Sequence, residues 1–493
     1  MSHLLSIDQG TTSSRATLYG TDGSALATAS QPLTQHYPNP GWVEHDPEEI
    51  WEGQLACIRK VLAAAGEGAG IAGIGITNQR ETTVIWERAT GRPLHRAIVW
   101  QDRRTAEFTE GLKRHGVETM VRERTGLLLD PYFSASKLAW LLDGIDGLRA
   151  RAERGEVCFG TVDSWLIFRL TGGRSHVTDL SNASRTMLFN IRTLEWDDEL
   201  LRLFNVPRAM LPEVRPSAAG FGRTAASVIG AEIPITGVAG DQQAALFGQG
   251  CFTPGMAKAT FGTGAFVVLN CGTRLGSGEG VLSTIAWQLP GEPVQYALEG
   301  SIFIAGAAVQ WLEEGLGLIG SPGEVEALAG SVADTGGVYF VPALSGLGTP
   351  YWDPYARGVI AGLTRGSSRA HLARAALEAI AFQTADAIRA MESASGIALS
   401  ELRVDGGATR NNLLLEIQAN LLGAPVLRPR CTESTSLGAA FLAGIGAGVL
   451  DTELIGKQWA LDRRFEPQLS EERRDESYRG WRKCVQLSLG WAK

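Results

Sequence analysis

The sequence lacks the features that would direct the chain to nucleic acid, to a secretory route or to a disulfide-stabilised fold. The net charge is −8, so a broad basic surface for nucleic acid is not expected. The six cysteines lie far apart and form no CxxC pair, which indicates reduced thiols and neither a disulfide framework nor a zinc site. The N-terminus has no basic segment followed by an apolar stretch, so no secretory signal is predicted and a cytoplasmic location is expected.

Long apolar runs are also missing. One long uncharged stretch, residues 434–450, is shorter than the roughly 20 residues that a membrane-spanning helix needs. It is rich in Gly and is predicted to be a buried helix, and no transmembrane segment is expected. With 493 residues, 44% hydrophobic and 20% charged, the composition is that of a globular protein with two large domains or more.

Several common catalytic motifs are absent. The sequence has no GxxxxGK[ST] phosphate loop, no GxSxG and no HExxH. A GxGxxG does occur at Gly68, Gly70 and Gly73, but it precedes a predicted strand, whereas a dinucleotide fingerprint lies between a strand and a helix. This GxGxxG is therefore predicted to be a loop.

What is present is an alternation of strand and helix signals. Residues 4–7 and 15–19 are short β-prone runs around a polar turn at 8–13, and further strands are predicted at 71–77, 82–86 and 402–404. A helix is predicted over 47–65 with Asp46 as its N-cap, and another over 369–391. The alternation predicts an α/β protein with mixed sheets.

A short internal sequence repeat suggests two related domains. Residues 6–12 and residues 259–265 both place Gly and Thr at a tight turn directly after an apolar, β-prone stretch. Two copies of one hairpin loop predict one domain over residues 1–250 and a second over residues 251–493.

The first turn has the chemistry of a phosphate site. Gly10 allows close approach of a phosphate to the backbone, and the following three hydroxyl residues add donors. Asp8 would hold Mg²⁺, and Arg15 could neutralise charge on the transferring group. An ordinary polar hairpin is the alternative. The matching turn at 262–264 and the strand-end turn at 405–407 favour the phosphate interpretation.

Eight segments in order carry a resemblance to the FGGY carbohydrate kinases. They are residues 7–15, 41–47, 77–83, 100–105, 130–134, 182–186, 239–243 and 405–407, with residues 358–378 similar to the family's second signature. The resemblance spans nearly the whole chain and fades after Asp451.

The resemblance implies the actin-like, ribonuclease H-like fold, with two α/β ATPase domains and the nucleotide in the cleft between them. It implies ATP and Mg²⁺ as cofactors and a homo-oligomer, either a dimer or a tetramer. The implied reaction is phosphoryl transfer from ATP to glycerol, the entry step of glycerol catabolism.

The substrate residues follow from the same resemblance. Glycerol would be bound by Arg80, Glu81, Tyr132, Asp241, Gln242, Trp100 and Phe266. Arg donates hydrogen bonds and Glu accepts them, so the pair can bind a polyol hydroxyl both as an acceptor and as a donor. From the residues alone, Arg80-Glu81 could equally be a surface ion pair, and Trp100 could be ordinary core packing.

Asp241 is the catalytic base that the resemblance implies, because a carboxylate near the attacking hydroxyl can orient it and accept its proton. Spacing alone would make Asp241 the cap of a helix beginning at Gln242. By resemblance the nucleotide residues are Thr11, Thr12, Ser13, Arg15, Thr263, Gly306, Gln310, Gly407 and Asn411, and the metal residues are Asp8 and Asp241.

One segment departs from the family pattern. Members that are inhibited by fructose 1,6-bisphosphate carry a Gly-rich loop ending in Arg before an Ile-Pro-Ile strand, but here Glu232 stands in that position. A carboxylate repels phosphate, so insensitivity to this effector is expected.

Two other interpretations remain open at this point. One is a member of the same family that acts on a different small polyol or a ketose. The other is a nucleotide-switched binding protein of the actin or Hsp70 type, which shares the fold and has no polyol pocket.

Overall fold

The computed structural model describes residues 2–66 and 70–493 of the chain. Its strands are β1 (His3–Gln9), β2 (Ser13–Gly20), β3 (Ala25–Pro32), β4 (Glu44–His45), β5 (Ile71–Asn78), β6 (Val84–Glu87), β7 (Ala97–Ile98), β8 (Val157–Gly160), β9 (Val177–Asp179), β10 (Phe189–Asn190), β11 (Glu195–Trp196), β12 (Glu213–Arg215), β13 (Ala218–Arg223), β14 (Pro234–Gly240), β15 (Met256–Phe261), β16 (Ala265–Gly272), β17 (Leu282–Trp287), β18 (Gln295–Ile302), β19 (Tyr339–Val341), β20 (Val359–Ala361), β21 (Glu401–Asp405), β22 (Val426–Pro429) and β23 (Leu461–Phe465).

The α-helices connect and cover these strands. They are α1 (Pro47–Ala65), α2 (Ala106–Arg114), α3 (Glu118–Thr125), α4 (Ser134–Gly144), α5 (Leu148–Glu153), α6 (Val162–Leu170), α7 (Leu180–Ala183), α8 (Asp198–Leu203), α9 (Ala226–Ile229), α10 (Asp241–Gly248), α11 (Gly306–Gln310), α12 (Glu324–Gly330), α13 (Arg369–Ser395), α14 (Asn412–Leu422), α15 (Ser434–Gly446), α16 (Thr452–Gln458) and α17 (Glu471–Ser488).

The chain forms two compact units, each with its own sheet. The first unit consists of Met1–Gly250, Ser283–Tyr296 and Glu433–Gln458, and the second of Cys251–Leu282, Ala297–Thr432 and Trp459–Lys493. The sheet of the first unit has the strand order β13-β14-β5-β1-β2-β3, and that of the second includes the order β23-β22-β21-β15-β16-β18.

The two strand orders correspond position by position. In the first sheet β1 is antiparallel to β2 and parallel to β5, while β14 is parallel to β5 and antiparallel to β13. In the second sheet β15 is antiparallel to β16 and parallel to β21, while β22 is parallel to β21 and antiparallel to β23. The two predicted hairpin turns lie at equivalent places, and the predicted α/β class with mixed sheets is confirmed.

Local sequence signals explain most element boundaries. Helix α1 covers the predicted residues 47–65, and the Asp46 carboxylate accepts a hydrogen bond from Glu48 N at 2.9 Å, as an N-cap does. Helix α13 continues four residues past its predicted end, to Ser395, where Gly396 adopts a left-handed conformation that closes it.

The GxGxxG that was predicted to be a loop lies only partly within the described residues. Gly70 directly precedes β5 and Gly73 lies inside that strand, whereas Gly68 lies outside the described residues.

The two faces of the first sheet differ because side chains alternate along a strand. On β5, Ile74 and Ile76 belong to the hydrophobic core with Ile58 of α1 and Trp165 of α6. The intervening Gly75 carries no side chain, and helix α15 packs closely against the backbone there.

Helix α15 is the predicted buried stretch, and it lies against the strands of the first unit. Ser6 Oγ donates to Ser436 O at 2.7 Å, and Thr236 Oγ1 donates to Ala443 O at 2.9 Å. A Cβ on Gly75 would lie 2.0 Å from Ala439 O, so the helix can approach the sheet this closely only at a glycine. Throughout residues 2–66 and 70–493, every helix is too short or too polar to span a membrane.

The variant Gly75→Ala tests this close approach. We expect it to destabilise the first unit by about 1–3 kcal/mol and to lower the melting temperature, because the helix backbone must move away from the sheet. Thermal unfolding followed by circular dichroism measures the change.

The matched control for Gly75→Ala is Gly220→Ala on β13 of the same sheet, where an added Cβ would meet no atom within 4 Å. An equal loss of stability in both variants would contradict the role of the close helix contact.

Candidate functional site

The β1–β2 hairpin contains the phosphate turn that was predicted at residues 8–13. The turn itself is shorter, at residues 10–12, because Asp8 and Gln9 belong to β1 and Ser13 begins β2. Gly10 N donates to Ser13 O at 3.0 Å and closes the turn, and Gln54 of α1 donates to Asp8 O at 2.9 Å from beneath. Thr12 is exposed at the tip, and Asp8 stands opposite Arg15 in the strand register. The turn therefore offers backbone and hydroxyl groups of Thr11, Thr12 and Ser13 on a rigid hairpin.

Asp8 lies in an unfavourable place for a negative charge. The pKa of its carboxyl group is raised to about 7, mainly by burial; Arg15 lowers this pKa, while the carboxylates of Asp241 and Glu433 contribute to raising it. A cation arriving near Asp8 would favour the ionised form of its carboxyl group.

Arg15 has a partner that lies far away in sequence. Its guanidinium forms a salt bridge with Glu433, the residue before helix α15. Both side chains are partly exposed, so the pairing is screened by water and is easily exchanged for another anion.

The end of β5 carries the predicted polyol pair. Arg80 and Glu81 are 3% and 1% exposed, so the surface ion-pair interpretation is wrong. Glu81 adopts φ = 62°, a left-handed conformation that a non-glycine residue seldom takes. Its Oε1 accepts a hydrogen bond from Arg185 Nε at 2.6 Å and lies 3.9 Å from Arg80 Nε.

Asp241 follows the neighbouring strand β14. Arg80 Nε lies 3.1 Å from Asp241 Oδ1, which brings the predicted base and the predicted polyol pair together. The cap interpretation of Asp241 is wrong, because Gly240 is the N-cap and α10 begins at Asp241 itself. Gln242, also predicted for the substrate, is the second residue of that helix and donates its N–H to Asp241 Oδ1 at 2.7 Å.

Because Gly240 has no side chain, the Arg80 side chain can lie directly against the backbone there. A Cβ at Gly240 would lie 2.6 Å from Arg80 Cδ and 2.9 Å from Gln243 Oε1. Gln243 Oε1 accepts from Arg80 Nη1 at 3.3 Å, while its amide donates to Thr284 Oγ1 at 3.1 Å. Any larger residue at position 240 would displace the Arg80 side chain.

Trp100 connects the aromatic part of the site to the phosphate turn. Its indole N–H donates to Thr11 Oγ1 at 2.9 Å, and its ring packs edge-on against Tyr132 with ring centroids 5.5 Å apart. Because the Trp100 side chain is only partly buried and bonds to the turn, simple core packing does not describe it.

A buried lysine fixes the segment that carries Tyr132. Lys137 Nζ donates to the carbonyls of Pro131 at 2.7 Å, Tyr132 at 2.6 Å and Phe133 at 3.2 Å. Burial lowers the pKa of Lys137 to about 7, although Glu81 and other nearby carboxylates raise it. Three acceptors around one ammonium hold this segment in one conformation.

Neutral side chains hold the phosphate turn from behind. Gln79 Nε2 donates to Gly10 O at 3.2 Å and to His45 Nδ1 at 3.2 Å, and His45 Nε2 donates to Gln35 Oε1 at 2.8 Å. Gln35 in turn donates to Thr11 O at 2.7 Å. Burial lowers the pKa of His45 to about 4, so the ring is neutral, in agreement with an Nδ1 that accepts.

The second unit gathers its own predicted residues around the β15–β16 turn. Thr263 O accepts from Ala305 N at 2.9 Å and Ala307 N at 3.0 Å, which places the turn beside Gly306 at the start of α11. Phe266 lies on β16 after the same turn, and Gln310 is exposed at the end of α11.

The turn after β21 completes this cluster. Thr260 of β15 pairs with Asp405, the last residue of β21; Gly407 and Asn411 follow that strand, at the start and the end of a short 3-10 helix. A Cβ on Gly407 would meet no atom of the protein within 4 Å. Asn411 also caps helix α14, because its Oδ1 accepts from Leu414 N at 2.9 Å.

Several residues of the first-unit site carried no predicted role. Arg185, Gln243, Gln79 and His45 all lie in the motifs that resembled the kinase family, so those motifs were a usable signal. Lys137 and Glu433 lie outside these motifs, and only the three-dimensional structure reveals their contacts.

Comparison with known proteins agrees with this geometry. Residues 3–248 match the N-terminal domain model of the FGGY family of carbohydrate kinases, and residues 257–447 match the C-terminal domain model. The chain is 81% identical to a glycerol kinase of Citrifermentans bemidjiense, with 100% of both chains covered. It is 58% identical to a glycerol kinase of Thermus brockianus, also with 100% of both chains covered.

A solved structure is similar over the full length. The crystal structure of Plasmodium falciparum glycerol kinase with ADP has a TM-score of 0.96 and 36% sequence identity, covering 99% of this chain and 98% of that one. The chain is therefore a kinase that belongs to the FGGY family of carbohydrate kinases.

Proposed function

We propose that this kinase transfers the γ-phosphoryl group of ATP to a terminal hydroxyl of glycerol, giving sn-glycerol 3-phosphate and ADP. The observation that carries the proposal is the buried Arg80–Glu81 pair with Asp241 Oδ1 at 3.1 Å from Arg80 Nε. The names of the similar proteins, glycerol kinases at 81% and 58% identity, support glycerol as the acceptor.

The polar side chains of the first unit match a small triol. Arg80 offers donors and Glu81 accepts. Gln242 adjoins Asp241, and the ring centroid of Tyr132 lies 5.8 Å from Arg185 Cζ; both residues would add further hydrogen-bonding groups. We propose that Trp100 and Phe266 present apolar faces to the carbon chain of glycerol. A group of donors and acceptors on rigid strand ends selects a substrate by the position of its hydroxyls.

The chemical step would be an in-line displacement. The glycerol oxygen forms a bond to the γ-phosphorus while the bond to the bridging oxygen of ADP breaks, and the hydroxyl proton passes to Asp241. Because the transition state is loose, the protein contributes mainly positioning and charge balance. The fixed neighbours of Asp241 on α10 and β5 support its role as the base.

We propose nucleotide-binding roles for residues of the phosphate turn in each unit. Thr11, Thr12, Ser13 and Arg15, in residues 1–250, would contact the phosphates, and Thr263, in residues 251–493, would contact a second phosphate. Gly306, Gln310, Gly407 and Asn411 would line the adenosine side. The open space beside Gly407 supports close approach of a base to the backbone there.

Mg²⁺ fits the carboxylates of the first unit. Mg²⁺ in kinases is held by one or two carboxylates together with substrate phosphates, and Asp8 and Asp241 provide that number. Burial and neighbouring carboxylates raise the pKa of Asp8 and so disfavour its ionised form. A bound cation would favour that ionised form. When bound, the ion would neutralise charge on the β- and γ-phosphates.

A cytoplasmic location is part of the proposal. The five buried cysteines are free thiols, as is typical of proteins from a reducing compartment, and ATP is available there; they are Cys57, Cys158, Cys251, Cys271 and Cys484.

Replacing Asp241 tests the base. Asp241→Asn keeps the shape of the side chain and removes the proton acceptor, so we expect kcat to fall about 10²–10⁴-fold with little change in the KM for ATP. Coupled detection of ADP with glycerol as acceptor measures both constants.

The control for Asp241→Asn is Asp198→Asn, because Asp198 is likewise the first residue of a helix, α8, but is paired with Arg208 on the surface. Undiminished glycerol phosphorylation by Asp241→Asn would overturn the assignment of the base.

A panel of acceptors tests the substrate. We expect kcat/KM for glycerol to exceed that for xylulose, ribulose and a four-carbon polyol by on the order of 100-fold or more, because buried donors and acceptors are left unpaired by a poorly fitting substrate. A higher value for one of the other acceptors would instead assign the enzyme to that substrate.

The same panel needs a reaction without acceptor as its control. Release of ADP that does not depend on any polyol would favour a nucleotide-switched binding protein.

The loop before β14 tests the regulatory expectation. Glu232 is exposed beside Ile233, and its carboxylate would repel a phosphorylated effector. We expect low-millimolar fructose 1,6-bisphosphate to leave the steady-state activity of the wild-type enzyme unchanged. The variant Glu232→Gln removes the negative charge that would repel this effector. Inhibition of the wild-type enzyme in that range would contradict this expectation.

A further inference from the structure

The fully buried carboxylate of Asp179 accepts five hydrogen bonds. Asp179 ends β9, and its Oδ1 accepts from Asn182 N at 2.9 Å, Asn182 Nδ2 at 2.9 Å and Ser181 Oγ at 3.0 Å. Its Oδ2 accepts from Ser181 N at 2.9 Å and Ser217 Oγ at 2.8 Å. The two backbone bonds cap the short helix α7, but the three side-chain bonds are not needed for capping.

The first side-chain bond leads to the proposed base. Ser181 Oγ, which donates to Asp179, also accepts a hydrogen bond from Gly240 N at 2.9 Å. Gly240 is the last residue of β14 and directly precedes Asp241. The hydroxyl of Ser181 therefore ties the backbone at Asp241 to the Asp179 carboxylate.

The second side-chain bond leads to the polyol pair. Asn182 donates its amide to Asp179, and its Oδ1 accepts from Asn78 Nδ2 at 3.1 Å. Asn78 Nδ2 also donates to Gln79 O at 2.9 Å, next to Arg80. The amide of Asn182 therefore ties the end of β5 to the same carboxylate.

The two branches meet neighbouring strands at the same level. Gly240 and Asn78 are register partners in the parallel pair of β14 and β5. The segment after α7 adds a third link, because Arg185 donates to Glu81 Oε1 at 2.6 Å. The Asp179 carboxylate is thus connected to the backbone at Gly240, which precedes the proposed base, and to the backbone at Gln79, which precedes Arg80 and Glu81.

We propose that Asp179 is a positioning residue for the transfer reaction, which sets the place of Asp241 through Ser181 and the place of Arg80 and Glu81 through Asn182. The inference rests on the proposed function, since it concerns the geometry of glycerol and its base. Catalysis by positioning is sensitive to small displacements, so loss of either branch has a specific kinetic consequence.

Three single variants each remove one side-chain donor to Asp179; two of them each cut one branch, and the third, Ser217→Ala, cuts neither and also removes the acceptor of Gln288 N. Ser181→Ala cuts the branch to Asp241, so kcat falls on the order of tenfold while the KM for glycerol stays within about threefold of wild type. Asn182→Ala cuts the branch to Arg80 and Glu81, so the KM for glycerol rises on the order of tenfold while kcat stays within about threefold.

Ser217→Ala is the matched control. It takes one hydrogen bond from Asp179 but cuts neither branch, so both constants stay within about twofold of wild type. The KM for ATP is expected to be unchanged in all three variants, and melting temperatures are measured alongside.

Conservative and complementary variants keep the test decisive if an alanine variant folds poorly. Ser181→Thr retains the hydroxyl and restores most of kcat, and Asn78→Ala cuts the Asn182 branch from its other end and reproduces the raised KM for glycerol. The double variant Asn78→Ala with Asn182→Ala shows no larger KM than either single variant, because both cut one connection.

The outcomes separate this inference from the proposed function. A wild-type enzyme that does not phosphorylate glycerol overturns the proposed function. An active wild-type enzyme whose Ser181, Asn182 and Ser217 variants lose activity alike, with no split between kcat and KM, overturns the positioning role of Asp179.

Discussion

Three buried charged side chains and one partly exposed carboxylate meet where β5 and β14 end, and the site of the first unit is arranged around the compensation of their charges. Arg80, Glu81 and Arg185 are buried, and Asp241 closes the group at 3.1 Å from Arg80 Nε. Removing a charge from water is costly unless an opposite charge and hydrogen bonds replace the lost solvation, and leaving one partner alone typically costs about 3–5 kcal/mol. Two positive and two negative groups therefore constrain three separate chain segments to one position. The same constraint pre-orients the donors and acceptors that a polyol would meet.

The phosphate turn is supported by a different physical principle. Its backbone is held by Gln79, Gln35 and a neutral His45, which donate and accept hydrogen bonds without bringing a second fixed charge. Positive charge near the turn comes from Arg15, whose exposed pairing with Glu433 is weak. A chain with a net charge of −8 can in this way receive an anionic nucleotide at a local site without a broad basic surface.

Local signals in the sequence predicted local structure well. The Asp46 cap, helix α1 and the polar turn after β1 depend on neighbouring residues, and the structure places them as predicted. The meeting of Arg80 with Asp241 depends on the parallel pairing of two strands far apart in sequence, so only family resemblance indicated it. The left-handed conformation of Glu81 and the contact of Arg15 with Glu433 depend on tertiary packing, which no local pattern encodes.

Helix α15 is synthesised long after the strands that it covers, and this delay affects how the first unit can fold during translation. Strands β1, β5 and β14 are complete at Gly240, whereas the helix that covers their glycine-bearing face begins only at Ser434. Strands β15 to β22, which include all of the second sheet except β23, leave the ribosome in between. The first unit therefore cannot close its core as a nascent N-terminal domain and must keep one face of its sheet uncovered during translation, when exposed surface is most prone to aggregation. A fragment ending at Gly250 would carry every first-unit side chain that we propose to bind glycerol and would still lack helix α15, which excludes water from the underlying sheet.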